Sequence, residues 1–299
     1  MITKRYQVAG FVFSISMPDR DSSALLDTAE KGGMANLKPF EAAGCEGEEI
    51  FRLSVDENLE GMPAELLFRT DDGPGFPEIT LFTAKDGWLV RVKPLPNLPE
   101  ASIMWIDKGF SKVRLQFLDK RDRSFALNNA LMLIFAFSTA RRGALEMHSS
   151  VVMNDGKGFL FLGKSGTGKS THSSLWIRHI PGTELLNDDN PVLRLMPDGT
   201  VRVFGSPWSG KTPCYKAKDV PAHAIVSLKQ APYNKIERLS GIQSYATIMS
   251  SSSAFRPFKE LADGWHSTIE SIAGKVPCYQ LECLPDKDAA ELCCRTVNG

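Results

Sequence analysis

Gly158-Phe159-Leu160-Phe161-Leu162-Gly163-Lys164-Ser165-Gly166-Thr167-Gly168-Lys169-Ser170 decides the reading of this chain. The apolar run Phe159 to Leu162, bounded by glycine, predicts a buried strand. The eight residues from Gly163 fit G-x-x-x-x-G-K-[ST], the Walker A phosphate loop or P-loop. Thr171 to His179 carry a helical pattern without proline, so strand, loop and helix follow in the order this motif requires. Glycines at 163, 166 and 168 permit positive φ and let backbone amides approach an anion closely. The predicted phosphate-contacting set is Gly163, Ser165, Gly166, Thr167, Gly168, Lys169, Ser170 and Thr171. The helix behind it points its positive end at the same place. Lys169 supplies charge for β- and γ-phosphates, and the Ser170 hydroxyl can ligate Mg²⁺.

A second stretch, Gly205-Ser206-Pro207-Trp208-Ser209-Gly210-Lys211-Thr212, satisfies the same pattern. Pro207 removes a backbone donor there, and Trp208 is bulky where a loop must hug an anion. It reads either as an ordinary turn or as an exposed loop near the site with Lys211 as an anion contact. A magnesium–nucleotide site also needs hard oxygen ligands at a strand end. Asp188 and Asp189, directly after Glu184-Leu185-Leu186-Asn187, are the candidates. Two adjacent carboxylates repel unless a cation lies between them. One can face a metal while the other accepts a proton from an attacking hydroxyl. The competing reading is a solvated turn, since Asn-Asp-Asp-Asn-Pro is also good turn composition. His148 lies just ahead of the strand pair feeding the loop, placed to orient a phosphate or a carboxylate or to sit as a satisfied, partly buried histidine. His172, on the loop's own helix, is expected to pack or face solvent.

Outward from the loop, the chain changes character near residue 120. Before it lie short β-branched and aromatic runs at Tyr6 to Met17, Glu49 to Val55, Glu65 to Arg69, Glu78 to Phe82, Trp88 to Lys93 and Val113 to Phe117. Asp71 to Gly75 and Pro94 to Pro99 punctuate them as loops. After it, Asp122 or Ser124 is expected to cap a helix from about Phe125 to Arg141, apolar on nearly all sides and so buried. Strands then follow at Ser149 to Met153, Gly158 to Leu162, Val192 to Leu195 and Val201 to Phe204, the last two joined through Met196-Pro197-Asp198-Gly199.

The 299 residues carry 35 basic and 35 acidic side chains, so no global field draws in nucleic acid or an anionic membrane. The six cysteines form no CxxC pair and no zinc-finger spacing, which favours reduced thiols. The apolar N-terminal stretch is short, broken by serines and lacks a small-residue cleavage site. The run Phe125 to Phe137 is too short to span a bilayer. A cytoplasmic location is the expectation.

Met147-His148-Ser149-Ser150-Val151-Val152, the loop through Thr171, and Leu185-Leu186-Asn187-Asp188-Asp189 together resemble the catalytic domain of the HPr kinase/phosphorylase family. Phe204 to Gly210 resembles the loop of HPr-kinase-related proteins of unassigned substrate, and Val276 to Leu281 resembles their C-terminal strand. The resemblance covers residues 145–285 and leaves the N-terminal half out. It implies an α+β/α/β architecture. A β-rich N-terminal domain (1–120) is followed by a phosphoenolpyruvate carboxykinase/HPr kinase-like P-loop domain with a mixed sheet (121–299). It further implies ATP and Mg²⁺ as cofactors, with Lys169 and Ser170 holding phosphates and metal. Asp188 would be the proton acceptor, Asp189 a metal-side ligand and His148 a neighbour of the transferred group. Relatives in that family form closed oligomers, so a homo-oligomer is implied too. The family's loop carries Asp and Glu where this chain has Lys164 and Thr171, and its acid near Val201 to Phe204 is missing here. Those departures point away from phosphorylase activity and from HPr. The leading expectation is an ATP-dependent kinase whose hydroxyl phosphoacceptor, a protein or a small molecule, is unknown. The alternatives are a nucleotide-sensing module without chemistry and, by fold analogy, a phosphoenolpyruvate carboxykinase-like enzyme.

Overall fold

The computed structural model describes the chain except residues 29–32, 43, 45–46, 57, 60–62, 64, 71–72, 211 and 254–256. It divides into two compact units, Met1–Ser138 and Thr139–Gly299. Among the described residues no helix is long and apolar enough to cross a membrane.

The first unit contains β1 (Ile2–Val8), β2 (Phe11–Met17), α1 (Arg20–Asp27), β3 (Glu49–Val55), β4 (Leu66–Arg69), β5 (Glu78–Ala84), β6 (Gly87–Lys93), β7 (Ser102–Asp107), β8 (Lys112–Phe117) and α2 (Arg123–Thr139). Its eight strands make one mixed sheet in the order β1-β2-β3-β8-β7-β6-β5-β4, with parallel pairs at β2–β3 and β3–β8. The predicted single strand Tyr6 to Met17 is instead a hairpin, with Ala9 and Gly10 at φ +50° and +77° turning β1 onto β2. That positive-φ pair matches the twist of the flanking strands. Helix α2 starts at Arg123 rather than Phe125. A short 3₁₀ turn, capped by Asp119 through the Arg121 N–H, leads into it in place of the expected Asp122 or Ser124 cap. Phe135 of α2 meets Phe11 and Phe13 edge-on, and Phe13 stacks on Phe51 with centroids 4.8 Å apart. This aromatic packing joins α2 to the first sheet, and the first compact unit ends at Ser138, one residue before the end of α2.

The second unit contains β9 (Ala144–Glu146), β10 (Ser149–Asn154), β11 (Lys157–Leu162), α3 (Lys169–His179), β12 (Glu184–Asp189), β13 (Val192–Leu195), β14 (Val201–Phe204), β15 (Asp219–Gln230), β16 (Lys235–Arg238), α4 (Gly241–Ser250), α5 (Lys259–Ala273), β17 (Cys278–Cys283) and α6 (Lys287–Asn298). Its sheet is mixed. The order is β12-β10-β11-β15-β14-β13-β9, with β17 beside β15 and β16 beside β17. Strand β15 runs parallel to both β11 and β17, and the other pairs are antiparallel. The buried run Phe159 to Leu162 alternates between two cores. Leu160 and Leu162 pack with Leu186, Ile225 and Trp265, whereas Phe159 and Phe161 pack with Trp176 of α3 and Cys293 of α6. A strand buried on both faces explains why this segment reads as a continuous apolar run.

Glu146 ends β9 inside this core, and burial holds its carboxyl well above the ordinary range. Its Oε1 has no hydrogen-bond partner among the described residues. A raised carboxylate contributes stability that is full below the unfolded value near 4.5 and is lost as pH climbs through the folded value. Glu146→Gln is therefore expected to melt higher than the wild type at pH 8. The gain is about 1–3 kcal/mol, or about 2–4 °C for each kcal/mol in a unit of this size. At pH 4 the two melting points should converge. A pH-independent difference in calorimetric scans would contradict the assignment.

Candidate functional site

Three segments are brought to one end of the second sheet by register. In β10, Ser149 pairs with both Leu162 of β11 and Asp189 of β12, and Ser150 with Phe161 and Asp188. The phosphate loop leaves β11 at this end, and the tandem aspartates finish β12 at the same level. His148 immediately precedes β10 and donates its backbone N–H to Ser251 O at 2.6 Å. The sequence thus places these three groups together through strand pairing alone.

The loop has the backbone its glycines allow, with Gly163, Gly166 and Gly168 at φ +149°, +81° and +108°. Gly168 is the N-cap of α3 and supplies no capping side chain, which leaves the helix's first amides to a ligand. Lys169 is largely buried, and its Nζ donates to Gly163 O at 2.9 Å. Burial lowers its pKa, while the charges of Asp189 and Asp188 act in the opposite direction. Behind the loop, the Ser150 and Ser173 hydroxyls meet at 2.7 Å and fasten α3 to β10. His172 is buried, accepts a hydrogen bond from Trp176 Nε1 and lies edge-on to Phe161. It packs and does not face solvent, and burial takes its pKa down to about 4.

The aspartates are not in a solvated turn. Asp188 is buried, and its Oδ1 accepts from the Ser170 hydroxyl at 3.0 Å. Asp189 is more open and places Oδ1 3.4 Å from His148 Nδ1. Asp188, and not Asp189, lies beside the Ser170 hydroxyl. Successive strand residues face opposite ways, and Asp189 adds a φ of +127° that re-aims its side chain. Burial first, and the Lys169 charge second, lower the His148 pKa against the opposing charges of Asp189 and Asp188.

The second glycine-rich stretch belongs to the site as scaffold. Gly205 to Trp208 are buried rather than exposed as expected. Asn187 Nδ2 donates to Trp208 O at 3.0 Å and lies 3.3 Å from Ser206 O. The Gly210 N–H and the Ser209 hydroxyl both donate to Asp188 O. Lys211 lies outside the described residues. Reasoning from the sequence missed this role of Asn187 and the part played by Gln230, whose Nε2 donates to Gly166 O and Thr167 O at 3.3 Å each. Asn187 was legible only as one polar residue among four. Gln230 sits far along the chain with no local signal.

No family model matches the chain. No curated protein matches it either. Among solved structures, it is similar to the Hpr(Ser) kinase/phosphatase from Coxiella burnetii, at 14% identity and a TM-score of 0.31, over 51% of this chain and 88% of that one. A likeness at that level carries no argument about chemistry, so the site stands on its own geometry.

Asp189 holds a backbone conformation that costs a non-glycine residue about 1–3 kcal/mol. Glycine relieves it at an entropic cost of about 0.5–1 kcal/mol. Asp189→Gly is thus expected to raise the melting temperature by about 2–4 °C. A lower melting temperature would mean that Asp189 is held there for stability.

Proposed function

We propose that the second unit is an ATP- and Mg²⁺-dependent phosphotransferase that moves the terminal phosphoryl group to a hydroxyl acceptor. The observation carrying this reading is the Ser170–Asp188 contact at 3.0 Å, at the start of a helix whose N-cap is Gly168 and beside Lys169, the first residue of that helix. A hydroxyl and a carboxylate are hard oxygen donors, the kind Mg²⁺ prefers. Mg²⁺ would be held by Ser170 and Asp188 and would neutralise charge on the phosphates.

In this reading the loop amides from Gly163 to Ser170 bind the phosphate tail and fix its direction. Lys169 leaves its resting bond to Gly163 O and compensates charge as the phosphoryl transfers. Asp189 accepts the acceptor's proton, and His148 beside it orients the hydroxyl. The acceptor is a hydroxyl-bearing protein or small molecule. Mass spectrometry of the protein incubated with Mg-ATP and cell extract tests the reading. A new phosphorylated species should form with wild type and be missing with Lys169→Ala. Nucleotide that is bound but never consumed with any acceptor would contradict it.

A further inference from the structure

A cavity of about 620 Å³ opens on the far side of the phosphate loop. Gly166, Thr167 and Gly168 of the loop proposed as the phosphate cradle line it. Most of the remaining wall is apolar, with Leu175 of α3, Leu228 of β15, Pro232, and Leu284 just beyond β17. Among the described residues no carboxylate, lysine or arginine lines it, and neither do Asp188, Asp189 or His148. Three of the polar side chains on its wall are engaged, Thr167 Oγ1 donating to Lys164 O. Gln230 donates to the Gly166 and Thr167 carbonyls and so ties the end of β15 to the loop, while His172 Nε2 accepts from Trp176.

Each feature narrows the occupant. The volume is in the range of small-molecule sites and exceeds what a phosphate tail alone requires. A wall without charge would leave a second anion or a metal ion desolvated and unpaired. It suits a flat, uncharged ring system. The side of the loop opposite the aspartates and His148 is where the non-transferred end of a phosphoryl donor must lie. We propose that this cavity receives the nucleoside of the donor, and that it holds the base by apolar burial rather than by side-chain hydrogen bonds to the base edge. The inference rests on the loop being a phosphate cradle. It adds that the nucleoside, and not the phosphate tail alone, contributes to binding through this cavity, and that adenine and guanine are poorly told apart.

Calorimetric titration of the full chain with Mg-ATP, Mg-GTP and Mg-tripolyphosphate separates these statements. ATP and GTP should bind within about tenfold of each other, because no buried polar side chain is left unpaired by either base. Tripolyphosphate should bind at least about tenfold more weakly than ATP, having no apolar surface to bury. Ala231→Trp, which fills the cavity from a partly exposed position, should weaken ATP by at least about tenfold and leave tripolyphosphate unchanged. Tripolyphosphate binding as tightly as ATP would overturn the nucleoside assignment while leaving the cradle intact. A larger preference between ATP and GTP would overturn the claim about burial. Failure of all three ligands to bind would remove the cradle and the cavity assignment together.

Discussion

Lys169→Ala is expected to lower phosphoryl-transfer turnover by about 10²–10³-fold, the usual loss when one preorganised donor to developing charge is removed. The ammonium sits at the loop, held by Gly163 O, and is the only cation the loop directs inward among its described residues besides the backbone dipoles. Lys164, the loop's other lysine, is exposed. The change should spare the fold, because burial already disfavours the charged form of Lys169 and its one hydrogen bond is to a carbonyl at the loop's start. The measurement is single-turnover transfer from Mg-ATP, with circular dichroism as control. An unfolded variant, or a folded one with wild-type turnover, would count against Lys169 as the phosphate clamp.

Asp189→Asn and Asp188→Asn should fail in different ways. Asparagine matches aspartate in size and shape, so Asp189→Asn keeps the side chain's packing at φ +127° while removing the proposed base. Turnover should fall by about 10²–10⁴-fold with nucleotide affinity nearly unchanged. Asp188→Asn keeps a partner for the Ser170 hydroxyl but removes a charge from the metal side. It should raise the Mg²⁺ concentration needed for half-maximal activity by about tenfold or more. The opposite pattern, with Mg²⁺ dependence shifted by Asp189→Asn alone, would restore the role assignment implied by the family resemblance.

What could be read from the sequence was local. The strand β11, the turn and helix α3 follow from consecutive residues: an apolar run, glycines where φ must be positive, and a proline-free helix. The hairpin Val192 to Phe204 was legible for the same reason, since Pro-Asp-Gly marks its turn. The β1–β2 hairpin was not, because Ala9 at positive φ gives no compositional signal. Strand β7, helix α1 and everything in the second unit after β14 except the β17 strand were likewise read only from the structure. The candidate site divides along the same line. Loop and aspartates announce themselves by spacing, but which aspartate meets Ser170 depends on strand pairing and one strained backbone angle. The buried position of Gly205 to Trp208 depends on Asn187 reaching across from another strand, and Gln230 reaches the loop from the end of β15. Contacts between distant segments leave no trace in a local pattern.

The central claim is that the turn between β11 and α3 cradles a polyphosphate tail. Isothermal titration calorimetry of the wild-type chain with Mg-ATP tests it most directly. Saturable heat with a dissociation constant below about 1 mM is predicted, weakened in Lys169→Ala. Flat traces with millimolar nucleotide and Mg²⁺ would contradict it.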